Sequence, residues 1–299
     1  MAFISPSRRD IILGMGRGDH LTFPAIGGGL ALAVALMAGA FAAPVTPQHA
    51  QTQADAIPVD LELVLAVDVS YSMDPDEQAL QREGYRLALT SKEFLSALRE
   101  GSYGRIAITY IEWAGEFDQK IVMPWRLIDG PEAADAVAAE LGRAPYRRAT
   151  RTSISGGLRF ARGLFGKGTY RGTRRVIDIS GDGPNNNGPP VAPVRDDIVA
   201  SGITINGLPI MLKRPTGMMD IENLDLYYED CVTGGPGAFV IPIRDRAQFI
   251  DAIRTKLVLE IAGRFDDAHA IPVSAAAPRI SCTIGEKLWH DRWGDYDFR

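Results

Sequence analysis

Residues 64–77 read VLAVDVSYSMDPDE, and the fold turns on how this stretch is read. The run Leu61 to Val67, apolar but for Glu62, fits a strand covered on both faces, as in a parallel sheet. It stops at Asp68, and Ser70 and Ser72 then alternate with that residue. A buried strand therefore ends by offering one carboxylate and two hydroxyls. Asp74-Pro75-Asp76-Glu77 carries the marks of a helix start: an Asp cap, Pro at the first helical position, and Glu three residues after the cap. Leu80, Gly84, Leu87, Ser91, Leu95 and Leu98 come next at three- and four-residue spacing, which predicts one helix with a single packing face, ending at Gly101.

Beyond it, strands and helices alternate. Arg105 to Trp113 and Lys120 to Leu127 predict two strands, and the short turn around Gly115 permits only an antiparallel pair. Helices are predicted over 131–141, 153–165, 191–201, 221–229 and 245–262, with strands over 174–180, 203–211 and 238–243. The last helix shows Phe249, Ile250, Ile253, Leu257 and Ile261 on one face and stops at Gly263, a suitable left-handed C-terminal residue. The expected class is α/β: a three-layer, doubly wound, mainly parallel sheet with one antiparallel strand.

The first fifty residues have another grammar. Arg8, Arg9 and Arg17 precede an uncharged stretch from Leu21 that ends in Ala40-Phe41-Ala42, the layout of an export signal with a small-residue cleavage site. Residues 1–43 read as an export signal or a retained anchor; Ser7-Arg8-Arg9 is similar to a twin-arginine signal, and a start at Met15 would leave a signal of ordinary length. Each reading places the rest of the chain outside the cytoplasm, periplasmic or extracellular. Residues 44–57 are polar and aperiodic, a linker; 58–263 form the α/β domain; 264–299 form an acidic, aromatic tail with Trp289, Trp293, Tyr296 and Phe298. Cys231 and Cys282 make an even pair, which in an oxidising compartment reads as one disulfide tying the tail to the body. The net charge of −5 is scattered, with no long basic run, which argues against a nucleic-acid partner.

In an open parallel sheet the loops at the carboxyl ends of the strands form the ligand crevice. Asp68, Ser70 and Ser72 occupy the first such loop; Thr152, just before a helix, and Asp182, just after a strand, fall at similar places. Two carboxylates and three hydroxyls are hard oxygen donors, suited to Mg²⁺ or Mn²⁺ with waters completing the shell. Asp-x-Ser-x-Ser after the first strand, Thr152 four residues before Gly156, and Asp182-Gly183 after a later strand together resemble the metal-ion-dependent adhesion site of von Willebrand factor type A domains. The resemblance covers 58–263. It implies that Ser70, Ser72 and Thr152 bind the cation directly or nearly so and that Asp68 and Asp182 act largely through water. It also implies that an acidic side chain of a partner protein completes the shell, so that the metal is a bridge and not a catalyst. The chain, with its YYEDCVTGGPGAFVIP segment at 227–242, is also similar to an uncharacterised exported bacterial branch of these proteins, with no assigned function.

Arg148 and Arg151 flank Thr152 and read either as steering groups for an acidic partner or as solvated arginines. Asn185 to Asn187 read as a ligand rim or a plain polar loop, and Asp178, mid-strand among apolar neighbours, as half of a buried pair or a support beneath the site. The enzyme readings are weaker. The predicted domain holds no histidine, His269 and His290 lying in the tail, so neither a Ser-His-Asp arrangement nor a His-rich hydrolase centre can be built in it. GLFGKGT (163–169) lacks the upstream Gly, at Ala161, and the Ser/Thr after Lys167 that a phosphate-binding loop needs. An Mg²⁺-dependent phosphoryl-transfer enzyme, and a structural module whose metal only stiffens loops, stand as the alternatives.

Overall fold

A computed structural model describes residues 55–213, 219–263, 271–272 and 278–294. The leader, most of the linker, His269, Tyr296 and Phe298 lie outside the described residues.

Strand β1 (Ile57–Asp68) is buried from Val59 onward and lies inside the sheet, third of its seven strands. Parallel partners flank it: β2 (Ile106–Trp113) and β4 (Tyr170–Gly181). Strand β3 (Gln119–Ile128) is antiparallel to β2, and β5 (Thr204–Pro209) and β6 (Phe239–Val240) extend the other side. The order is β3-β2-β1-β4-β5-β6-β7. The mainly parallel sheet with antiparallel β3 is the expected one, and β7 (Ile271–Pro272) adds a second antiparallel pairing from the tail.

The pleat divides the apolar residues between two cores. Leu61, Leu63, Leu65 and Val67 face α1 (Pro75–Leu89), α2 (Lys92–Arg99), α3 (Pro131–Arg143) and α7 (Phe249–Ala262). Val64 and Ala66 face the opposite side, with α4 (Ile154–Arg162), α5 (Val191–Ala200) and the short α6 (Leu224–Tyr227), which runs on as a π-helical turn, Tyr228–Val232. Helix α8 (Ile284–Trp293) belongs to the tail.

The Asp74 capping box forms as expected. Asp74 Oδ1 accepts from Glu77 N at 2.8 Å, and Glu77 Oε2 accepts from Asp74 N at 3.0 Å, a motif worth ~1 kcal/mol. The single helix expected to reach Gly101 is instead two. Ser91 turns extended (φ −71°, ψ 153°) and its hydroxyl accepts from Phe94 N, so a side chain expected on a packing face is the cap that starts α2. The strand expected over 238–243 is two residues long, with Ile243 bridging to Ile210 alone.

Strand β3 is irregular. Two residues, Pro124 and Trp125, oppose Thr109, and the register shifts again before Ile111, so the edge strand carries two bulges. Pro124 is exposed there and has no N–H to present.

Asp178 resolves as the buried pair. Lys256 of α7 places Nζ 2.9 Å from Asp178 Oδ1 and 2.7 Å from Glu260 Oε1, and Glu260 Oε1 accepts from Asn206 Nδ2 at 3.2 Å. The three charged side chains are at most 1% exposed. Burial and the charge of Glu260 push Asp178 up to about 7, with Lys256 pulling the other way.

Candidate metal site

The chain runs from β1 outward to β2 on one side and from β4 to β5 on the other, so the switch point lies between β1 and β4. Asp68 ends β1 and Asp182 comes just after β4, on either side of that crevice. Ser70 N donates to Asp68 Oδ1 at 2.7 Å, the hydroxyls of Ser70 and Ser72 are 2.8 Å apart, and Ser72 Oγ donates to Asp182 Oδ1 at 2.6 Å. Four of the five predicted residues thus form one hydrogen-bonded chain. Asp68 is the floor, fully buried, while Ser72 is exposed at the mouth.

Thr152 arrives from a third loop. Ser70 pairs with Ala149 in a parallel bridge, and Val69 O accepts from Ala149 N at 3.0 Å, so the Thr152 loop runs beside the Asp68–Ser72 loop. Thr152 and Asn186 exchange two bonds: Thr152 N donates to Asn186 Oδ1 at 2.9 Å, and Asn186 N donates to Thr152 O at 2.8 Å. All three loops are therefore tied together.

The donor set fits a hard cation. Asp68 Oδ2 is buried and has no hydrogen-bond partner. Burial, and then the charge of Asp182, raise Asp68 well above the usual carboxylate range, and burial raises Asp182 to about 6. Asp68, which carries the orphaned oxygen, forms no ion pair among the described residues that would balance its charge. Among the described residues no three His, Cys, Asp or Glu side chains stand at metal-ligand spacing, so a cation at this place would need the hydroxyls as well as the two carboxylates. Gly181 makes room for this floor: a Cβ there would lie 2.9 Å from both Asp68 Oδ2 and the Tyr228 hydroxyl.

Several residues at the site have no signal in the Asp-x-Ser-x-Ser pattern. Lys213 Nζ donates to Ser72 O and Glu77 Oε2, both at 2.6 Å, and stands 3.9 Å from Asp182 Oδ2. The three asparagines are connectors and not a plain polar loop. Asn185, fully buried, accepts from Ser155 N and donates to Pro189 O and Glu286 Oε1, while Asn187 Oδ1 accepts from Glu116 N. Arg148 lies against Tyr71, its guanidinium 5.1 Å from the ring and donating to Tyr71 O at 2.6 Å. Arg151 stacks on Trp289 at 3.5 Å. Cys231 and Cys282 are joined, with Cα atoms 5.3 Å apart.

This arrangement, a doubly wound sheet with one antiparallel strand beside the β1–β2 pair and polar loops at the switch point, is the fold of von Willebrand factor type A domains. The chain is similar in fold to proximal thread matrix protein 1 of the mussel byssus: 15% identity, 69% of this chain against 49% of that one, TM-score 0.50. A von Willebrand factor type A protein from Catenulispora acidiphila (16%, 68% against 43%, TM-score 0.46) and the pilus adhesin SpaC of Lactobacillus rhamnosus GG (14%, 70% against 31%, TM-score 0.48) are similar at lower scores. The chain spans half or less of the length of these proteins. No curated protein matches it in sequence. The chain belongs to the family described as "Protein of unknown function (DUF1194)", whose model matches residues 58–265.

Proposed function

We propose that the protein is an exported, non-enzymatic binding module in which a divalent cation, Mg²⁺ or Mn²⁺, bridges to an acidic side chain of a partner protein. The observation that carries this reading is the orphaned, buried Asp68 Oδ2 at the floor of an all-oxygen cluster. Ser70, Ser72 and Thr152 would hold the cation, with Asp68 and Asp182 acting through water. When bound, the cation supplies uncompensated positive charge, because neutral hydroxyls quench less of it than carboxylates do. An anionic group from outside is then the natural completing ligand. The mussel byssus protein, described in one form with a zinc-occupied MIDAS motif, is a precedent in the same fold. Export rests on the basic and apolar pattern of residues 1–43; among the described residues no helix is long and apolar enough to cross a membrane.

The test is a thermal melt with and without Mg²⁺ or Mn²⁺, set against the Asp68→Ala/Asp182→Ala double variant. A cation at ~100 times its dissociation constant adds about 2.7 kcal/mol by mass action, a rise of ~5–11 °C for a domain of this size. Wild type should shift and the double variant should not. Equal behaviour of the two proteins at millimolar metal would leave the loops a purely structural device.

A further inference from the structure

Helix α8 touches two of the three loops that make the site, through one of its faces. Glu286 and Trp289, three residues apart, lie on the same side of the helix. Glu286 Oε1 accepts from Asn185 Nδ2 at 2.7 Å, and the Trp289 ring lies under the Arg151 guanidinium at 3.5 Å. Gly285, between the disulfide and these contacts, approaches so closely that a Cβ would fall 2.0 Å from Asn185 O.

The residues held by the helix are the chain neighbours of a bonded pair. Arg151 precedes Thr152, Asn185 precedes Asn186, and Thr152 and Asn186 exchange two hydrogen bonds. Trp289, Arg151-Thr152, Asn186-Asn185 and Glu286 therefore close a ring, with α8 as one side of it. Arg151 is also the one non-glycine among the described residues at positive φ (74°), a conformation that costs a residue with a Cβ ~1–2 kcal/mol and persists where surroundings enforce it. The helix is anchored just upstream by Cys282, bonded to the buried Cys231, while Ile280 and Ile284 pack against the α4–α6 core.

We propose that the tail helix is a strut of the cation site, with Trp289 and Glu286 as positioning residues that hold the Thr152 and Asn185–Asn187 loops in the binding geometry. The strut presupposes that the cluster binds a cation. The domain's sheet and helices define the site coarsely, and the disulfide-anchored tail sets its last loop.

The experiment uses the full chain in three variants: Trp289→Ala, Glu286→Ala and Glu286→Gln. Amide hydrogen exchange is followed in the metal-free protein over residues 150–153 and 185–188, and Mn²⁺ uptake is titrated by loss of the free-ion paramagnetic resonance signal, well below the melting temperature. Trp289→Ala and Glu286→Ala should each speed exchange in both segments and weaken Mn²⁺ binding about tenfold, the scale of one stacked cation or one charge-assisted hydrogen bond. Glu286→Gln keeps an acceptor for Asn185 and should stay within about threefold of wild type. If Trp289→Ala does not fold, the Glu286 pair decides. Wild type that binds Mn²⁺ alongside variants that bind it equally well overturns the strut alone. Wild type that takes up no Mn²⁺ overturns the cation reading, and the strut with it.

Discussion

Replacing Lys256 by Met removes the cation set between two buried carboxylates, and the size of the resulting loss can be worked from the geometry. Lys256 Nζ sits within 3 Å of both Asp178 and Glu260, and all three side chains are sealed from water. Methionine is nearly isosteric, so packing against Phe239, whose ring centre is 4.9 Å from Nζ, is largely kept and the loss is electrostatic. Removing one partner of a buried pair costs ~3–5 kcal/mol, or a fall of ~6–20 °C in Tm for a domain of this size. The loss should depend on pH. Burial raises Asp178 to about 7, so its stabilising protonated form is complete below the unfolded value near ~3.9 and is lost as pH rises through about 7. At pH 5 Asp178 carries a proton with or without the lysine; at pH 8 the wild-type anion has Lys256 and the variant has nothing. Guanidinium denaturation at both pH values should give the larger difference at pH 8. A loss under ~1 kcal/mol, or one equal at the two pH values, would refute the reasoning.

Three further outcomes are expected. Ser91→Ala removes the hydroxyl that caps α2 and should cost ~1 kcal/mol, about 2–4 °C in Tm; an unchanged melt would mean the break at Thr90–Ser91 does not depend on its cap. Gly181→Ala drives a methyl group against Asp68 Oδ2 and the Tyr228 hydroxyl, and should give a folded protein destabilised by ~1–3 kcal/mol whose melt no longer responds to Mn²⁺; a wild-type response would show that this floor tolerates a side chain. Reducing the Cys231–Cys282 bond, which spans 51 residues of chain, removes a loop constraint of ~4 kcal/mol on the chain-entropy account, so reductant should lower Tm and an unchanged melt would count against the bond.

The chain alone makes legible what a single segment displays. Asp68, Ser70 and Ser72 share one strand end, and their alternation against an apolar run is visible without any partner. Thr152 and Asp182 stand out by their positions at a helix start and a strand end. Lys213, 31 residues beyond Asp182, lies in no periodic element, and its role exists only where three loops meet. Lys256 is illegible for another reason: it lies between Ile253 and Leu257 on α7, and a lysine beside an apolar face ordinarily keeps its head in water, whereas here Asp178 and Glu260 meet it inside. Ser91 falls on a helical spacing and so resembles part of a face. Its capping role depends on a backbone turn that spacing does not record. The asparagines look like a loop because amide side chains declare no partner in sequence, and theirs come from Thr152, Ser155, Glu116 and Glu286.

The two bulges of β3, and the exposed Pro124 within one of them, bear on how the protein behaves in company. A straight outer strand presents a row of free N–H and C=O groups to which another chain can add itself, and copies of one protein are the readiest source of such a chain. Here the row is broken twice, a donor is missing at Pro124, and Lys120 adds a charge that a stacked copy would bring against its own like. The margin of the sheet next to β2 is thus a poor template for self-association.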